Sequence, residues 1–162
     1  MQSETKKNIK TYIIAILIPV AVGLISAFIT KDSMQIYSEL QTPPLSPPSI
    51  LFPIVWSILY VLMGISSAII WTKRDTDPKN ADKGIAFYAL SLAFNFVWSI
   101  IFFNLRQFLF AFVWLLALLY LIIRTVSSYE KVSKAAAYLQ IPYMLWVMFA
   151  GYLNFGIWFL NR

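Results

Sequence analysis

Five long stretches without a single charged residue dominate this 162-residue chain. They cover residues 11–30, 40–72, 84–105, 107–123 and 135–161. A helix needs roughly 20 apolar residues to cross the hydrocarbon core of a bilayer. A charge at the bilayer centre costs about 2.5–3.5 kcal/mol on insertion scales, so uncharged stretches of this length are rarely accidental. The stretches therefore predict five membrane-spanning helices.

The second stretch is too long for one helix, and prolines break its first part. Proline lacks a backbone N–H and disfavours a helical residue before it, so this helix is expected to begin at Ser49. The prediction is an all-α membrane bundle forming a single domain over residues 1–162. Its expected spans are about 11–30, 49–72, 84–105, 107–124 and 135–160.

The connections between the spans differ in character. Residues 31–48 contain Pro43, Pro44, Pro47 and Pro48 and predict a stiff loop, either a lid over the bundle or a plain connector. Residues 73–83 predict a solvated turn, and residues 125–134 predict another polar loop. The third connection, residues 104–107, is very short, so the third and fourth helices should be antiparallel neighbours.

Basic residues lie mostly on one side of the predicted topology. If the chain alternates sides through five spans, ten of its thirteen Lys and Arg residues share the side of the N-terminus. The positive-inside rule then predicts a cytoplasmic N-terminus in the cell membrane. This bias explains the net charge of +6 better than nucleic-acid binding does. The first stretch exceeds the usual signal-peptide core of about 7–15 residues, so we expect it to be a retained helix.

The composition excludes several kinds of chemistry. The chain has neither Cys nor His, which rules out disulfides, thiolate nucleophiles, imidazole metal ligands and Ser-His triads. Its seven acidic residues all lie outside the spans. We therefore expect no metal site and no bound cofactor, and most hydrolytic mechanisms are excluded.

Asn95 is the most informative polar residue, because it lies near the middle of the third span. An amide at that depth must find a hydrogen-bond partner or bear the cost of desolvation. Two interpretations remain open. Asn95 either joins two helices through a hydrogen bond, as polar side chains often do in membrane bundles, or it points into a cavity and contacts a ligand.

Aromatic residues share helical faces on three of the predicted spans. At helical spacing, these faces are Ser91, Asn95, Trp98 and Phe102; Phe52, Trp56, Leu59, Tyr60 and Met63; and Tyr143, Trp146, Ala150 and Leu153. Trp56, Trp98 and Trp146 lie deeper than the interfacial positions that tryptophan usually takes. The pattern fits a cavity for a flat, aromatic, partly polar ligand, with indole N–H groups as donors. It equally fits an aromatic packing core.

Several motifs together resemble the TspO/translocator-protein family, also called tryptophan-rich sensory proteins. The resemblance covers most of the chain. It rests on Tyr37-x-x-Leu40-Gln41-x-Pro43, Pro47-Pro48, Pro53-Ile54-Val55-Trp56, Leu59-Tyr60, Met63-Gly64, Ala93-Phe94-Asn95-Phe96-x-Trp98, Phe102-Phe103-x-x-Arg106-Gln107, Pro142-Tyr143-x-x-Trp146 and Leu153-Asn154.

The resemblance implies a five-helix bundle, usually a homodimer, whose pocket is closed by the first loop. It also implies binding of porphyrins and of benzodiazepine-type drugs, and light- and oxygen-dependent porphyrin breakdown that depends on Trp56 and Trp146. The porphyrin would be a ligand or substrate, not a cofactor. Together with the aromatic faces, the resemblance gives an expected ligand-binding set of Tyr37, Pro47, Phe52, Trp56, Asn95, Trp98, Tyr143, Trp146, Ala150 and Leu153.

The chain departs from the family at the sterol motif of its animal members. Phe155 and Phe159 stand where that motif carries Tyr and Arg after Leu153-Asn154, which argues against sterol recognition. Two other functions remain open beside porphyrin binding and degradation. One is a transporter for porphyrins or related apolar molecules, and the other is a regulatory membrane protein whose partner responds to ligand.

Overall fold

The computed structural model describes residues 2–33 and 35–162, and this part of the chain is helical, without a β-strand. Five of its helices are long and apolar enough to cross a membrane, so the predicted all-α bundle is confirmed. The elements are α1 (Gln2–Thr30), α2 (Ile36–Glu39), α3 (Leu51–Thr72), a 3₁₀ turn (Arg74–Thr76), α4 (Pro78–Ser99), a π-helical turn (Ile100–Asn104), α5 (Phe108–Val132) and α6 (Lys134–Leu160).

The long helices form a bundle in which α1 packs on α3, α3 on α6, α6 on α5 and α5 on α4, with α4 returning to α1. Only 17% of the most apolar 18-residue segment of α1 is buried within the bundle, against 28–39% of the corresponding segments of the other spans. The loop end carries residues 31–50 and 105–107, and the far end carries residues 73–77 and 133. Met34, within the expected lid, lies outside the described residues.

Helix α4 begins at Pro78, six residues before the expected start of the third span at residue 84. The Asp77 side chain caps it, accepting hydrogen bonds from the Asn80 backbone N at 3.2 Å and from Asn80 Nδ2 at 2.7 Å. Pro78 fits the first helical position, where a missing N–H costs little. The hydrogen bonds from Asn80 lower the pKa of the Asp77 carboxyl. The solvated loop expected over 73–83 therefore shrinks to the 3₁₀ turn and the cap.

The prediction of a polar loop after residue 124 is wrong, because α5 continues to Val132 and only Ser133 separates it from α6. The hydroxyl of Thr125 bonds to the carbonyl of Leu121 at 2.9 Å and remains compatible with a helix. Tyr129 is fully buried one turn later. Polar residues here mark where the helix leaves the apolar layer, not where it ends.

The connection at the loop end is as short as expected. Residues 105–107 link the π-helical turn to α5, and α4 and α5 pack side by side, which confirms the predicted neighbours. Arg106 adopts a positive φ of 54° in this tight turn. The Asn104 amide donates to the carbonyl of Ile29 at 3.3 Å, which ties the turn to the end of α1.

The helices approach one another closely toward the far end. A Cβ on Gly64 would collide with the backbone of Ile16, so only glycine permits this contact between α1 and α3. The Ser66 hydroxyl donates to the carbonyl of Ala136 at 2.7 Å and accepts from Gln140 Nε2 at 3.2 Å. These contacts join α3 to α6.

Candidate functional site

A cavity of about 410 Å³ lies toward the loop end, between α1, α3, α6 and the junction of α4 with the π-helical turn. Its walls are mainly apolar and aromatic. Among the described residues, no charged side chain lines it. The bundle therefore holds an apolar chamber of ligand size within the depth of the membrane.

Six of the expected ligand-binding residues line this cavity. They come from four separate parts of the chain, and helical periodicity had placed five of them on shared faces. These residues are Tyr37 before the lid prolines, Phe52 and Trp56 on α3, Trp98 on α4, and Ala150 and Leu153 on α6.

Asn95 is not among the lining residues, and only 2% of it is exposed. Its Nδ2 donates to the Tyr60 hydroxyl at 3.1 Å, and Tyr60 lines the cavity. Of the two interpretations, the structure shows the hydrogen bond between helices, here joining α4 to α3. Asn95 therefore acts on the cavity wall through Tyr60.

Tyr143, Trp146 and Pro47 also lie outside the lining. Tyr143 is fully buried behind Trp56, with ring centroids 6.1 Å apart. Trp146 packs edge-on against Phe52 at 5.9 Å. Both rings support residues of the wall, while Pro47 is a half-buried residue of the loop. The two tryptophans implied by the resemblance are thus placed differently, with Trp56 at the cavity and Trp146 behind it.

Trp98 is held in place by a chain of hydrogen bonds. Its indole N–H donates to Asn154 Oδ1 at 3.1 Å, and Asn154 Nδ2 donates to the carbonyl of Phe108 at 2.7 Å. The expectation that indole N–H groups are free to bind a ligand is therefore wrong at Trp98. Its ring presents a fixed aromatic surface instead. Like Asn95, Asn154 is a polar residue within a membrane span. The sequence analysis did not predict its role in positioning Trp98.

Helix α1 supplies one whole wall that sequence reasoning missed. Its lining residues include Gly23, Ser26, Ala27 and Thr30, which follow a spacing of i, i+3, i+4 and i+7 and so share one face. The Thr30 hydroxyl is satisfied by the carbonyl of Ser26 at 2.9 Å. That periodic stripe of small and hydroxyl residues was the available signal.

The indole of Trp56 and the ring of Tyr60 form a stacked pair on the cavity wall. Their centroids are 5.4 Å apart, and their planes differ by 29°. Tyr37 adds a further ring, edge-on to Phe52 at 5.2 Å. Burial raises the pKa of the Tyr37 hydroxyl. The wall offers stacking surfaces and hydroxyl groups, and within the described part of the chain it has no carboxylate or amine for acid–base catalysis.

The loop at the mouth of the bundle is fastened to the end of α6. The side chain of Asn161 accepts from the backbone N of Gln41 at 3.0 Å and donates to its carbonyl at 2.8 Å. The Tyr152 hydroxyl donates to the carbonyl of Pro44 at 2.8 Å. Pro43 is buried against Gly156, where an added Cβ would lie only 2.6 Å from the proline ring. These contacts hold the loop across one end of the cavity.

The described residues contain no group of three or more His, Cys, Asp or Glu side chains that could hold a metal ion. The chemistry available at the cavity is therefore that of aromatic rings, hydroxyl groups and the small side chains of α1. Such a surface recognises ligands by shape, stacking and a few hydrogen bonds.

Comparison with known proteins agrees with this architecture. The model of the TspO/MBR family matches residues 15–159. The tryptophan-rich protein TspO of Chlorobaculum tepidum is 36% identical over 96% of this chain and 98% of its own length. The translocator protein of Bos taurus is 36% identical over 90% of this chain and 87% of its own. A tryptophan-rich protein TspO of Archaeoglobus fulgidus is likewise 36% identical over 95% of this chain and 99% of its own.

The matched residues reach into all five spans and include every residue that lines the cavity. Five apolar helices and this relationship make the chain a multi-pass membrane protein. It belongs to the TspO/MBR family.

Proposed function

We propose that the protein binds a tetrapyrrole of the protoporphyrin class in the cavity at the loop end and promotes its breakdown in light and oxygen. The observation that carries this proposal is the aromatic wall, with the Trp56–Tyr60 stack, Phe52 and Trp98 around an uncharged chamber. Flat aromatic ligands stack on such rings, and apolar surface drives them out of water. The resemblance to porphyrin-binding members of the family agrees with this chemistry.

The degradation step uses light and dioxygen as co-reactants. Light excites the bound ring, and addition of O₂ across one methine C=C bond leaves two carbonyl groups, which accounts for all atoms and electrons. Trp56 is the oxidisable indole whose ring lines the cavity, whereas Trp146 stands behind Phe52. We therefore assign direct contact with the ligand to Trp56 and a supporting role to Trp146.

The test is light-driven loss of the porphyrin absorption band in purified protein, measured against a detergent-only control. Trp56→Phe should reduce the rate about tenfold, because it removes the contacting indole while keeping an aromatic ring. Trp146→Phe should have a smaller effect, of about threefold. Trp71→Phe, which removes an exposed indole at the far end of α3, is the matched control. Equal rates in wild type and Trp56→Phe contradict the proposed role of this indole.

Transport is the second candidate, and one observation bears on it. The cavity occupies the loop end only, while the contacts of Gly64 and Ser66 close the bundle beyond it. A carrier would have to open that closed half. Movement of unmodified porphyrin across sealed vesicles, without any loss of its absorption band, would favour transport over degradation.

The same proposal places the protein in the cell membrane as a homodimer with a cytoplasmic N-terminus. The distribution of basic residues supports the orientation, and the family resemblance supports the dimer. Cysteine labelling from each side of sealed vesicles, in a chain without native cysteine, tests the orientation. Benzodiazepine-type drugs should compete with porphyrin for the same aromatic wall.

A further inference from the structure

The cavity is bounded on one side by residues that also face outward from the bundle. On α1 these are Leu24 and Ala27, and on α3 they are Pro53, Ser57 and Val61. Leu24 is 67% exposed and Val61 39% exposed, although both line the cavity. A residue that lines a chamber and is also exposed on the outer surface marks an opening. This opening lies between α1 and α3.

The opening has a definite lower limit. A Cβ on Gly23 would collide with the ring of Tyr60, and one on Gly64 would collide with the backbone of Ile16. At both levels α1 and α3 therefore touch. Nearer the loop end, the lining residues Ala27 and Ser57 are small, and both remain exposed. The helices consequently leave a lateral gap beside the upper part of the cavity.

This gap lies within the apolar, membrane-spanning length of both helices. All five of its residues lie within the spanning segments Asn8–Thr30 and Leu51–Thr72, and none is charged. Helix α1 also has the smallest buried share of the five spans, at 17%, so it is the wall that can move with the least loss of packing.

The loop at the end of the bundle, by contrast, is closed by several contacts. The Asn161 amide holds both backbone polar groups of Gln41, and Tyr152 holds the carbonyl of Pro44. Pro43 is buried against Gly156. Opening the cavity through the loop requires these hydrogen bonds to break together with the packing of the proline. Passage through the gap between α1 and α3 breaks neither these hydrogen bonds nor the packing of Pro43.

We propose that the ligand passes sideways between α1 and α3, directly from the hydrocarbon of the bilayer, while the loop stays fastened to α6. This inference rests on the proposed binding function. It implies that the natural ligand is a molecule that partitions into membranes. It also makes Ala27 and Ser57 determinants of access, because larger side chains there would narrow the gap.

Two pairs of introduced cysteines test the route in a chain that has no cysteine of its own. The gap pair is Ala27→Cys with Ser57→Cys, and the loop pair is Gln41→Cys with Arg162→Cys, which keeps the Asn161 side chain and its bonds to the Gln41 backbone. Each pair is bridged by a cleavable bifunctional thiol reagent in lipid nanodiscs, with bridging verified by mass. Protoporphyrin is then added, and its association rate is followed by tryptophan quenching before and after reductive cleavage.

Bridging the gap pair should slow association at least about tenfold, and cleavage should restore the rate, because the ligand must pass between the bridged residues. Bridging the loop pair should change the rate by less than about twofold. The opposite pattern, with slow association only when the loop is bridged, overturns the lateral route, as does an unchanged rate in the bridged gap pair. Absence of saturable quenching in the wild type would instead remove the binding function on which the route rests.

Discussion

The two halves of the bundle use the same helices but pack them in opposite ways. Toward the far end, Gly64 admits the backbone of Ile16, and Ser66 and Gln140 join α3 to α6 by hydrogen bonds. Toward the loop end, large rings surround a cavity, and α1 presents the small, exposed residue Ala27 to it. A small residue lets two helices pack closely where a neighbouring group fills the space beside it. Where no group fills that space, the same kind of residue leaves a cavity between the helices.

The hydrogen bonds in the two halves of the bundle also have different roles. The bonds among Ser66, Gln140 and Ala136 hold α3 and α6 together, and none of these three residues lines the cavity. The bonds of Asn154 and Asn95 hold Trp98 and Tyr60, whose rings form the cavity wall. Amides of the same kind therefore stabilise the fold in one half and orient a candidate binding surface in the other.

The largest effect is expected from Gly64→Ala. The added Cβ would collide with the backbone of Ile16, which cannot rotate away as a side chain can. Overpacking of this kind costs about 2–3 kcal/mol, measured as the free energy of unfolding in mixed detergent. Gly151→Ala is the matched control, since its nearest neighbour, Phe112 Cε2, would lie 4.0 Å away. That control should be neutral or gain up to about 1 kcal/mol from helix propensity. Equal losses in both variants would contradict the close contact.

A smaller effect, which separates the two halves, is expected when a buried amide is replaced by leucine. Asn154→Leu removes the partner of the Trp98 indole and should cost about 1–2 kcal/mol of stability. It should also weaken porphyrin binding several-fold, because the Trp98 ring is no longer held. Gln140→Leu should cost a similar free energy but leave affinity unchanged. If Gln140→Leu weakens binding as much as Asn154→Leu, the functional difference between the halves does not hold.

The smallest effect concerns the exposed cap at the far end. The pKa of Asp77 is lowered in the folded protein by its bonds to Asn80. Its stabilisation is therefore present above the ordinary aspartate pKa of about 3.9. It is lost as the pH falls through the lowered folded value. The melting temperature of the wild type should fall slightly more over this range than that of Asp77→Asn. Porphyrin affinity, measured at neutral pH, should be the same in both proteins.

The number and type of the helices were predictable because charge is excluded from the hydrocarbon layer along the whole of each span. Their ends were not, since polar residues outside that layer are free to remain helical. Thus Asp77 caps α4 earlier than expected, and α5 runs through residues 125–132. Hydropathy identifies the part of a helix that lies in the membrane, and capping decides where the helix begins.

The candidate site was predictable where the side chains are large and periodic. Phe52, Trp56 and Trp98 share faces at helical spacing, and all three line the cavity. The wall on α1 was missed, because its small residues carry no aromatic or charged group and their helical spacing was the only signal they offered. Nor could the sequence decide between the two roles of Asn95, because its partner Tyr60 lies 35 residues away. Which polar groups pair across helices is settled by packing.

The most direct test of the cavity at the loop end as the binding site is a titration with protoporphyrin in the dark. Binding is measured by tryptophan quenching in wild type and in Ala150→Phe. Ala150 lines the cavity on α6 and is 8% exposed, so a phenyl ring there occupies the space of the ligand. Met148→Phe places the same ring on the exposed surface of α6 and is the control. We predict saturable quenching in wild type and Met148→Phe and an affinity loss of at least about tenfold in Ala150→Phe. Equal affinity in all three proteins would show that the porphyrin binds elsewhere.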